Sequence, residues 1–251
     1  MMPLPSALLE RPIAHRGYHD KSAGRVENSQ SAFAAAVAAG YGIELDLQLS
    51  RDGEAIVFHD QFLDRLTAQK GFVRDRIAAE LSQIGLKGGA DTIPTLAEVL
   101  AQVDGKAPLL IELKDQHGQM GDTDGALEAA TIQALASYSG PVALMSFNPH
   151  MVQRLADLAP HLPRGLVCSA LRKVDEPHIQ VEIRARLAGI PDFDDARASF
   201  LSHDVKNLDN PKVEQLKAQG VPILCWTVRS VAEENEARIV ADNITFEGYA
   251  A

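Results

Sequence analysis

Four short groups of charged and imidazole side chains stand out because each interrupts or follows an apolar run typical of buried strands. The groups are His15-Arg16, Glu44 with Asp46, His59-Asp60, and Glu112 with Lys114. Burying three carboxylates together is unfavourable unless positive charge holds them, and a hard divalent cation with oxygen ligands does so. Histidines transfer protons near neutral pH, and arginine and lysine bind phosphate. The set therefore predicts metal-assisted cleavage of a phosphate ester.

Each group also has an ordinary structural explanation when it is taken alone. A Glu-x-Asp pair is more often an exposed strand edge, and His-Arg-Gly is a weak turn signal. His59-Asp60 could be a capping pair, and Glu112 with Lys114 could be a surface ion pair of small energy. The catalytic interpretation is favoured because all four groups fall at the ends of successive predicted strands, where barrel enzymes carry their chemistry.

The spacing of the charged residues indicates how the strands present them. A separation of two along a strand puts Glu44 and Asp46 on one face, and likewise Glu112 and Lys114. The apolar residues that alternate with them in 42–49 should then face surrounding helices.

Apolar runs alternate with helical patterns along the chain, which indicates βα units around a parallel sheet. Strands are predicted over 12–15, 42–49, 55–59, 108–114, 142–147, 164–168, 199–205, 221–228 and 241–245. Helices are predicted over 28–40, 95–103, 124–137, 149–158, 211–219 and 231–239. We predict an α/β fold, a TIM-type (β/α)8 barrel in a single domain over 1–251, with a small cap of loop and short helices over 61–92.

Composition narrows the possible functions. The 251 residues carry a formal charge of -10, which argues against nucleic-acid binding and against docking on an anionic membrane. No apolar run approaches the roughly 18 residues of a membrane span, so no stable membrane insertion is expected. No signal peptide is evident, and the two cysteines are predicted to be reduced and buried, which predicts a cytoplasmic protein.

From about residue 12 to about residue 244 the chain resembles the glycerophosphodiester phosphodiesterase family of bacterial cytosolic type. The resemblance is carried by IAHRG (13–17), Glu27-Asn28-Ser29, GIELDLQLSRDGEAIVFHD (42–60), LDRLT (63–67), IPTLAEVL (93–100), LLIELK (109–114), SFNP (146–149) and CWTV (225–228). It implies a site at the carboxyl-terminal mouth of the barrel. Glu44, Asp46 and Glu112 would hold a divalent metal cation, Mg²⁺ or Ca²⁺, and His15 and His59 would form the catalytic acid–base pair.

The same resemblance implies supporting roles for four further residues. Arg16 and Lys114 would contact the phosphate in the ground and transition states. Glu27 and Trp226 would lie behind the residues that touch the substrate. The segment 61–92 corresponds to the family's cap over the polar head group.

The implied activity is hydrolysis of a glycerophosphodiester, a small-molecule substrate, to glycerol 3-phosphate and an alcohol in lipid and glycerol-phosphate metabolism. The resemblance also suggests a cyclic phosphate intermediate, formed by the neighbouring glycerol hydroxyl and opened by water. The alternatives are a lysophospholipase D-like or other phosphodiesterase and, less strongly supported, a non-catalytic metabolite-binding barrel. A Schiff-base enzyme using Lys114 would not explain the three carboxylates.

Two segments depart from the family pattern. The family often follows its last Ile-Thr with Asp and then Pro, whereas Ile244-Thr245 is followed here by Phe246-Glu247-Gly248. The segment 18–26 lacks the common Pro before Glu27. The alcohol released, the metal preferred and the oligomeric state are not determined by the sequence.

Overall fold

Over residues 2–174 and 179–251, the ranges that the structure describes, the computed structural model forms eight parallel strands and one antiparallel strand. The strands are β1 (Ile13–Ala14), β2 (Gly42–Leu49), β3 (Ala55–Val57), β4 (Leu109–Leu113), β5 (Val142–Ser146), β6 (Arg164–Cys168), β7 (Phe200–Asp204), β8 (Ile223–Val228) and β9 (Asn243–Phe246). The parallel strands follow one another in chain order from β1 to β9, and β9 pairs with β1. The predicted TIM-type barrel is confirmed.

Most of the helices lie between barrel strands and cover the outside of the barrel. Those described are α1 (Ala7–Glu10), α2 (Gln30–Ala39), α3 (Ala78–Leu81), α4 (Leu96–Val103), α5 (Ala126–Leu135), α6 (Pro149–Leu158), α7 (Val181–Leu187), α8 (Pro211–Ala218) and α9 (Val231–Ala237). The six predicted helices are present. The short α3 falls in the segment 61–92, where loop and short helices were predicted. The sequence did not predict α1, which has four residues, or α7, whose seven residues include three charges and give no clear apolar period.

Alternation along β2 separates the two sides of the sheet as predicted. Leu45 and Leu47 are fully buried against outer-layer residues such as Phe33 of α2 and Val99 of α4. The polar residues between them therefore face the inside of the barrel.

The amino-terminal end of the barrel is closed by apolar packing. Leu4 and Leu8 lie against Ile13 and Phe200 in one buried cluster. Gly165 is required beside Phe200, because a Cβ at this position would lie 2.4 Å from the phenyl ring. The floor is thus filled, and the open end is the carboxyl-terminal mouth.

The strand predicted over 55–59 is not a barrel strand. The Asp52-Gly53 turn folds β3 back antiparallel to β2, as short hairpin turns do. The backbone N–H of Phe58 donates to the carbonyl of Asp46 over 3.0 Å, which places His59 beside the polar face of β2. The expectation that all four charged groups end successive barrel strands is therefore wrong for His59.

The segment 61–92 packs around an apolar cluster that it shares with β3 and the residue after it. The cluster contains Ile56, Phe58, Leu63, Leu66, Val73, Leu81, Leu86 and Ile93. Isolated bridges such as Phe62 with Phe72 tie its loops together. The segment lies where the cap was expected. None of the helices in the described ranges has the length and apolar character needed to cross a membrane.

Candidate active site

Three buried carboxylates lie together inside the barrel mouth. Glu44 and Asp46 project from β2, and Glu112 projects from β4 in register with Asp46. These residues are 2%, 1% and 6% exposed, and one oxygen from each lies within 4.8 Å of the others. Carboxylates that lie this close together and are this buried repel one another, and positive charge among them is needed to compensate the repulsion.

Two cations of the chain partly neutralise this cluster. Nζ of Lys114 lies 2.7 Å from Oδ1 of Asp46 and also donates to Glu112. The backbone N–H of Arg16 donates to Oε2 of Glu44 over 2.8 Å, and its Nε lies 3.4 Å from Oδ2 of Asp46. Burial alone would lower the pKa of Lys114, but Asp46 and Glu112 raise it, so the ammonium stays charged.

The two carboxylates of β2 have opposite electrostatic environments. Burial, followed by the charges of Asp46 and Glu112, raises the pKa of Glu44 well above its usual value. Burial also opposes ionisation of Asp46, but Lys114, followed by interactions with His59 and Arg16, holds its pKa well below the usual value. Repulsion is therefore least compensated at Glu44, and a divalent cation would relieve it.

Asn28 orients one of these carboxylates, a contact that the motif did not reveal. Its Nδ2 donates to Oδ2 of Asp46 over 2.8 Å, and its backbone N–H donates to the carbonyl of Arg16 over 2.8 Å. Its φ of 56° lies in a region that asparagine tolerates better than most residues. Ser29 caps α2 by accepting from the N–H of Ala32, which leaves the Asn28 side chain to Asp46.

His15 follows β1 and is held through one ring nitrogen. Its Nδ1 lies 2.6 Å from Oε2 of Glu247, immediately after β9. Burial lowers the pKa of His15 to about 4, partly offset by the Glu247 hydrogen bond. His15 is therefore neutral near pH 7, and its Nε2 is the nitrogen left for other partners.

His59 is held in a similar way by a different part of the chain. Its Nδ1 lies 2.8 Å from Oδ1 of Asp60, and its side chain is 32% exposed. Arg65 of the cap donates to both oxygens of Asp60, at 2.6 Å and 2.9 Å. Burial opposes ionisation of Asp60, but the hydrogen bonds from His59 and Arg65 hold its pKa well below the usual value.

Glu27 forms ion pairs with both Arg16 and Arg65. Arg65 donates to both of its oxygens, at 2.8 Å and 2.7 Å, and Arg16 donates to one of them at 2.6 Å. Burial opposes ionisation of Glu27, but these bonds lower its pKa to about 2. A continuous set of ion pairs thus runs from Arg16 through Glu27, Arg65 and Asp60 to His59.

A cavity of about 730 Å³ opens over these groups. Its polar wall includes His15, Arg16, Glu44, His59, Glu112 and Lys114. Its apolar wall includes Phe62, Met120, Met145, Phe147, Val167 and Trp226. The volume suits a small molecule that carries both a charged and a less polar part.

Trp226 belongs to the wall of this cavity, and its role behind the residues that touch the substrate stays a prediction. It packs edge-on against Phe147 at 5.4 Å and its indole N–H donates to the carbonyl of Ser202 over 3.2 Å. Because strand alternation turns it inward, it lines the mouth directly. The hydroxyls of Ser202 and Thr245 also line the cavity, are buried, and have no hydrogen-bond partner within the described ranges.

The structure brings the other predicted site residues together and adds further ones. Glu27 lies behind Arg16 as expected, and Asp46 lies behind the cavity wall between Lys114 and Asn28. Sequence reasoning missed Asn28, Arg65 and Glu247 as site residues. All three were marked in the sequence, Asn28 by the Glu27-Asn28-Ser29 motif, Arg65 by the LDRLT motif and Glu247 by the departure after Thr245.

A closed (β/α)8 barrel with carboxylates, imidazoles and cations at one mouth defines a barrel enzyme of acid–base and phosphate chemistry. Residues 15–242 match the glycerophosphoryl diester phosphodiesterase family, and the chain belongs to that family. The family and the enzyme class predicted from the sequence, a phosphoric diester hydrolase, are confirmed.

Individual relatives agree with this assignment. The chain is 32% identical over 225 residues to a glycerophosphodiester phosphodiesterase of Caldanaerobacter subterraneus subsp. tengcongensis, covering 86% of this chain and 84% of the relative. It is 27% identical over 220 residues to a glycerophosphodiester phosphodiesterase of Bacillus subtilis, covering 76% and 68%. The structure of an Oleispira antarctica phosphodiesterase in complex with the product sn-glycerol-3-phosphate is similar, with a TM-score of 0.78, 25% identity and coverage of 98% and 95%.

Proposed function

We propose that this protein hydrolyses glycerophosphodiesters to glycerol 3-phosphate and an alcohol, as part of lipid and glycerol-phosphate metabolism. The observation that carries the proposal is one cavity whose polar wall holds two imidazoles, two cations and the carboxylates of Glu44 and Glu112, with the carboxylate of Asp46 directly behind it. The names of the relatives support the substrate class.

Glu44, Asp46 and Glu112 are the residues that would hold a divalent cation. The fit rests on their burial, on the short separation of their oxygens and on the repulsion that raises the pKa of Glu44. An all-oxygen donor set favours Mg²⁺ or Ca²⁺ over the cations that prefer sulfur and nitrogen. Such a cation supplies charge neutralisation to the phosphate oxygens when it is bound.

Arg16 and Lys114 bind the phosphate in this proposal. Both line the cavity, and both are fixed by carboxylates on the side away from it. The ion pairs keep them charged and limit their rotamers, so less conformational entropy is lost when the phosphodiester binds.

His15 and His59 move the protons. Each has its Nδ1 on a carboxylate, so each presents Nε2 as the reactive atom. One Nε2 accepts the proton of the attacking glycerol hydroxyl as its oxygen bonds to phosphorus. The other donates a proton to the departing alkoxide, which leaves as the alcohol. The reverse exchange of protons lets water open the resulting cyclic phosphate.

A phosphodiester panel tests the proposal. Glycerophosphocholine, glycerophosphoethanolamine, glycerophosphoglycerol and a lysophospholipid are incubated with the protein, with and without EDTA, and glycerol 3-phosphate is measured. We expect release from at least one glycerophosphodiester, its loss with EDTA and its recovery with Mg²⁺ or Ca²⁺. Preference for the lysophospholipid would favour the lysophospholipase D alternative, and no turnover of any diester would contradict the proposal.

A further inference from the structure

Glu247 occupies a place where strand alternation decides what faces the barrel interior. Thr245 lines the cavity, and Phe246 points outward into an aromatic group with Tyr18, Tyr41 and Tyr249. Glu247 therefore faces inward again, towards His15. Phe246, which follows Ile244-Thr245, points outward, and the next residue provides an inward carboxylate.

Both ends of the contact between His15 and Glu247 are fixed by the backbone. The N–H of His15 donates to the carbonyl of Phe246 over 2.9 Å, and the N–H of Glu247 donates to the carbonyl of Val228 over 3.0 Å. The two side chains then meet at 2.6 Å between Nδ1 and Oε2, and they are 13% and 21% exposed. The geometry is set by strand pairing between β1, β9 and β8 and not by a mobile loop.

The carboxylate of Glu247 is itself oriented by two further groups. Arg229 lies 2.8 Å from Oε1, and His19 Nε2 lies 3.5 Å from Oε2. Arg229 balances the negative charge and keeps Oε2 turned towards His15. The arrangement matches a carboxylate that sets the tautomer and ring plane of a histidine.

We propose that Glu247 is a positioning residue, which holds His15 with its proton on Nδ1 and so keeps the Nε2 lone pair directed at the substrate. Without it, the neutral ring also populates the tautomer with the proton on Nε2, which accepts no proton from the substrate. Its carboxylate further stabilises the imidazolium that forms when Nε2 takes a proton. This inference rests on the proposed function for its kinetic consequence, but its tautomer consequence does not depend on activity.

The test combines two measurements on Glu247→Gln, with Glu236→Gln of helix α9 as the matched control. Glu236 is exposed, and its substitution removes the same charge from the same region of the chain. Imidazole ¹⁵N NMR of the full chain, with His15 assigned by its absence in His15→Asn, should show Nδ1 protonated and Nε2 unprotonated in the wild type and control. In Glu247→Gln we expect a shift towards the Nε2-protonated tautomer.

Steady-state kinetics on the diester selected by the panel supply the second measurement. We expect Glu247→Gln to lower kcat by about 10²-fold with KM changed less than about threefold, because the phosphate contacts are intact. Glu247→Asp keeps the charge and should recover part of kcat, a rescue that a purely structural role would not give. A wild-type tautomer and kcat in Glu247→Gln would overturn the proposal. If the wild type turned over no diester, the proposed function would fail while the NMR result would still decide this inference.

Discussion

The two histidines of the site are held by carboxylates in the same way but by different regions of the molecule. His15 is 13% exposed, and its partner Glu247 is carried by the adjoining barrel strand. His59 is 32% exposed, and its partner Asp60 is held by Arg65 from the cap. One histidine is thus fixed by strand pairing, whereas the other is fixed by side-chain ion pairs of a segment outside the barrel.

This difference indicates that substitutions in the barrel and in the cap should affect the two imidazoles differently. A buried ring is costly to charge, and burial accordingly lowers the pKa of His15 to about 4. His59 is more exposed, and its position depends on contacts that local opening of the cap would break.

Removing either imidazole is the largest expected effect. We expect His15→Ala and His59→Ala each to lower kcat by about 10²–10⁴-fold, the range for loss of a general acid or base. KM should change little, because Arg16 and Lys114 still bind the phosphate. The exposed His161 provides the control as His161→Ala. Near wild-type kcat across pH in either mutant would show that the paired-histidine mechanism is wrong.

Neutralising the carboxylates of β2 tests the barrel side. Glu44→Gln and Asp46→Asn should both weaken Mg²⁺ or Ca²⁺ binding, by roughly 10²-fold, since ligand charge sets affinity. Their effects on the metal-free protein should differ. Glu44 has a raised pKa, so its charge is unfavourable in the fold, and the melting temperature of Glu44→Gln in EDTA should hold or rise.

Asp46 has a lowered pKa because Lys114 and His59 stabilise its charge against the cost of burial. Asp46→Asn should therefore lower the free energy of unfolding in EDTA by about 1–3 kcal/mol, as for a broken buried charge pair. Titration calorimetry measures the affinity of each variant for the metal ion, and thermal unfolding measures the stability of the metal-free protein. Equal stability changes in the two variants would contradict this electrostatic distinction.

Removing the contact between Arg65 of the cap and Asp60 tests the cap side of the site. Arg65→Met removes the hydrogen bonds to Asp60 and Glu27 and should lower kcat by about 10-fold, the lower part of the range for a lost orienting partner. The effect should be smaller than that of His59→Ala because the imidazole is still present. Arg51→Met, an exposed arginine elsewhere in this region, is the control. An unchanged kcat in Arg65→Met would show that the cap does not position His59.

The smallest expected effect is on stability and depends on pH. The folded pKa of Glu27 is about 2, below its ordinary value, because the bonds from Arg65 and Arg16 outweigh burial. Its stabilising contribution is thus present above the unfolded pKa, about 4.5, and is lost as pH falls towards 2. Glu27→Gln should lower the free energy of unfolding by about 1–2 kcal/mol at pH 7 and by less at pH 3, as urea unfolding can show. A difference that is equal at both pH values would argue against the ion-pair explanation.

Periodicity predicted the barrel well because its strands are continuous apolar runs with polar residues at regular spacing. It predicted the strand over 55–59 but not its place outside the barrel, because an Asp-Gly hairpin and the start of the next barrel strand have the same local pattern. It also missed α7, whose polar sequence gives no clear period. The error at β3 concerns which strand an apolar run pairs with, which is a long-range property.

In the candidate site, too, the sequence predicted local features but not long-range contacts. The residues at fixed spacing on one strand, such as Glu44 and Asp46, were predicted from the sequence alone. Sequence spacing could not pair His15 with Glu247, because the contact spans 232 positions and forms only when the barrel closes. The opposite stability effects expected at Glu44 and Asp46 also depend on the position of Lys114, which comes from a different strand.

Closure of the ring through the two residues of β1 has a consequence for biosynthesis. A ribosome delivers the chain from its amino terminus, so the strands that carry His15 and the three carboxylates emerge well before β9. Until β9 arrives, the nascent sheet keeps two unpaired edges, which are sites of unwanted association. Glu247 follows β9 directly, so the barrel strand that is translated after the other seven both seals the sheet and delivers the partner of His15.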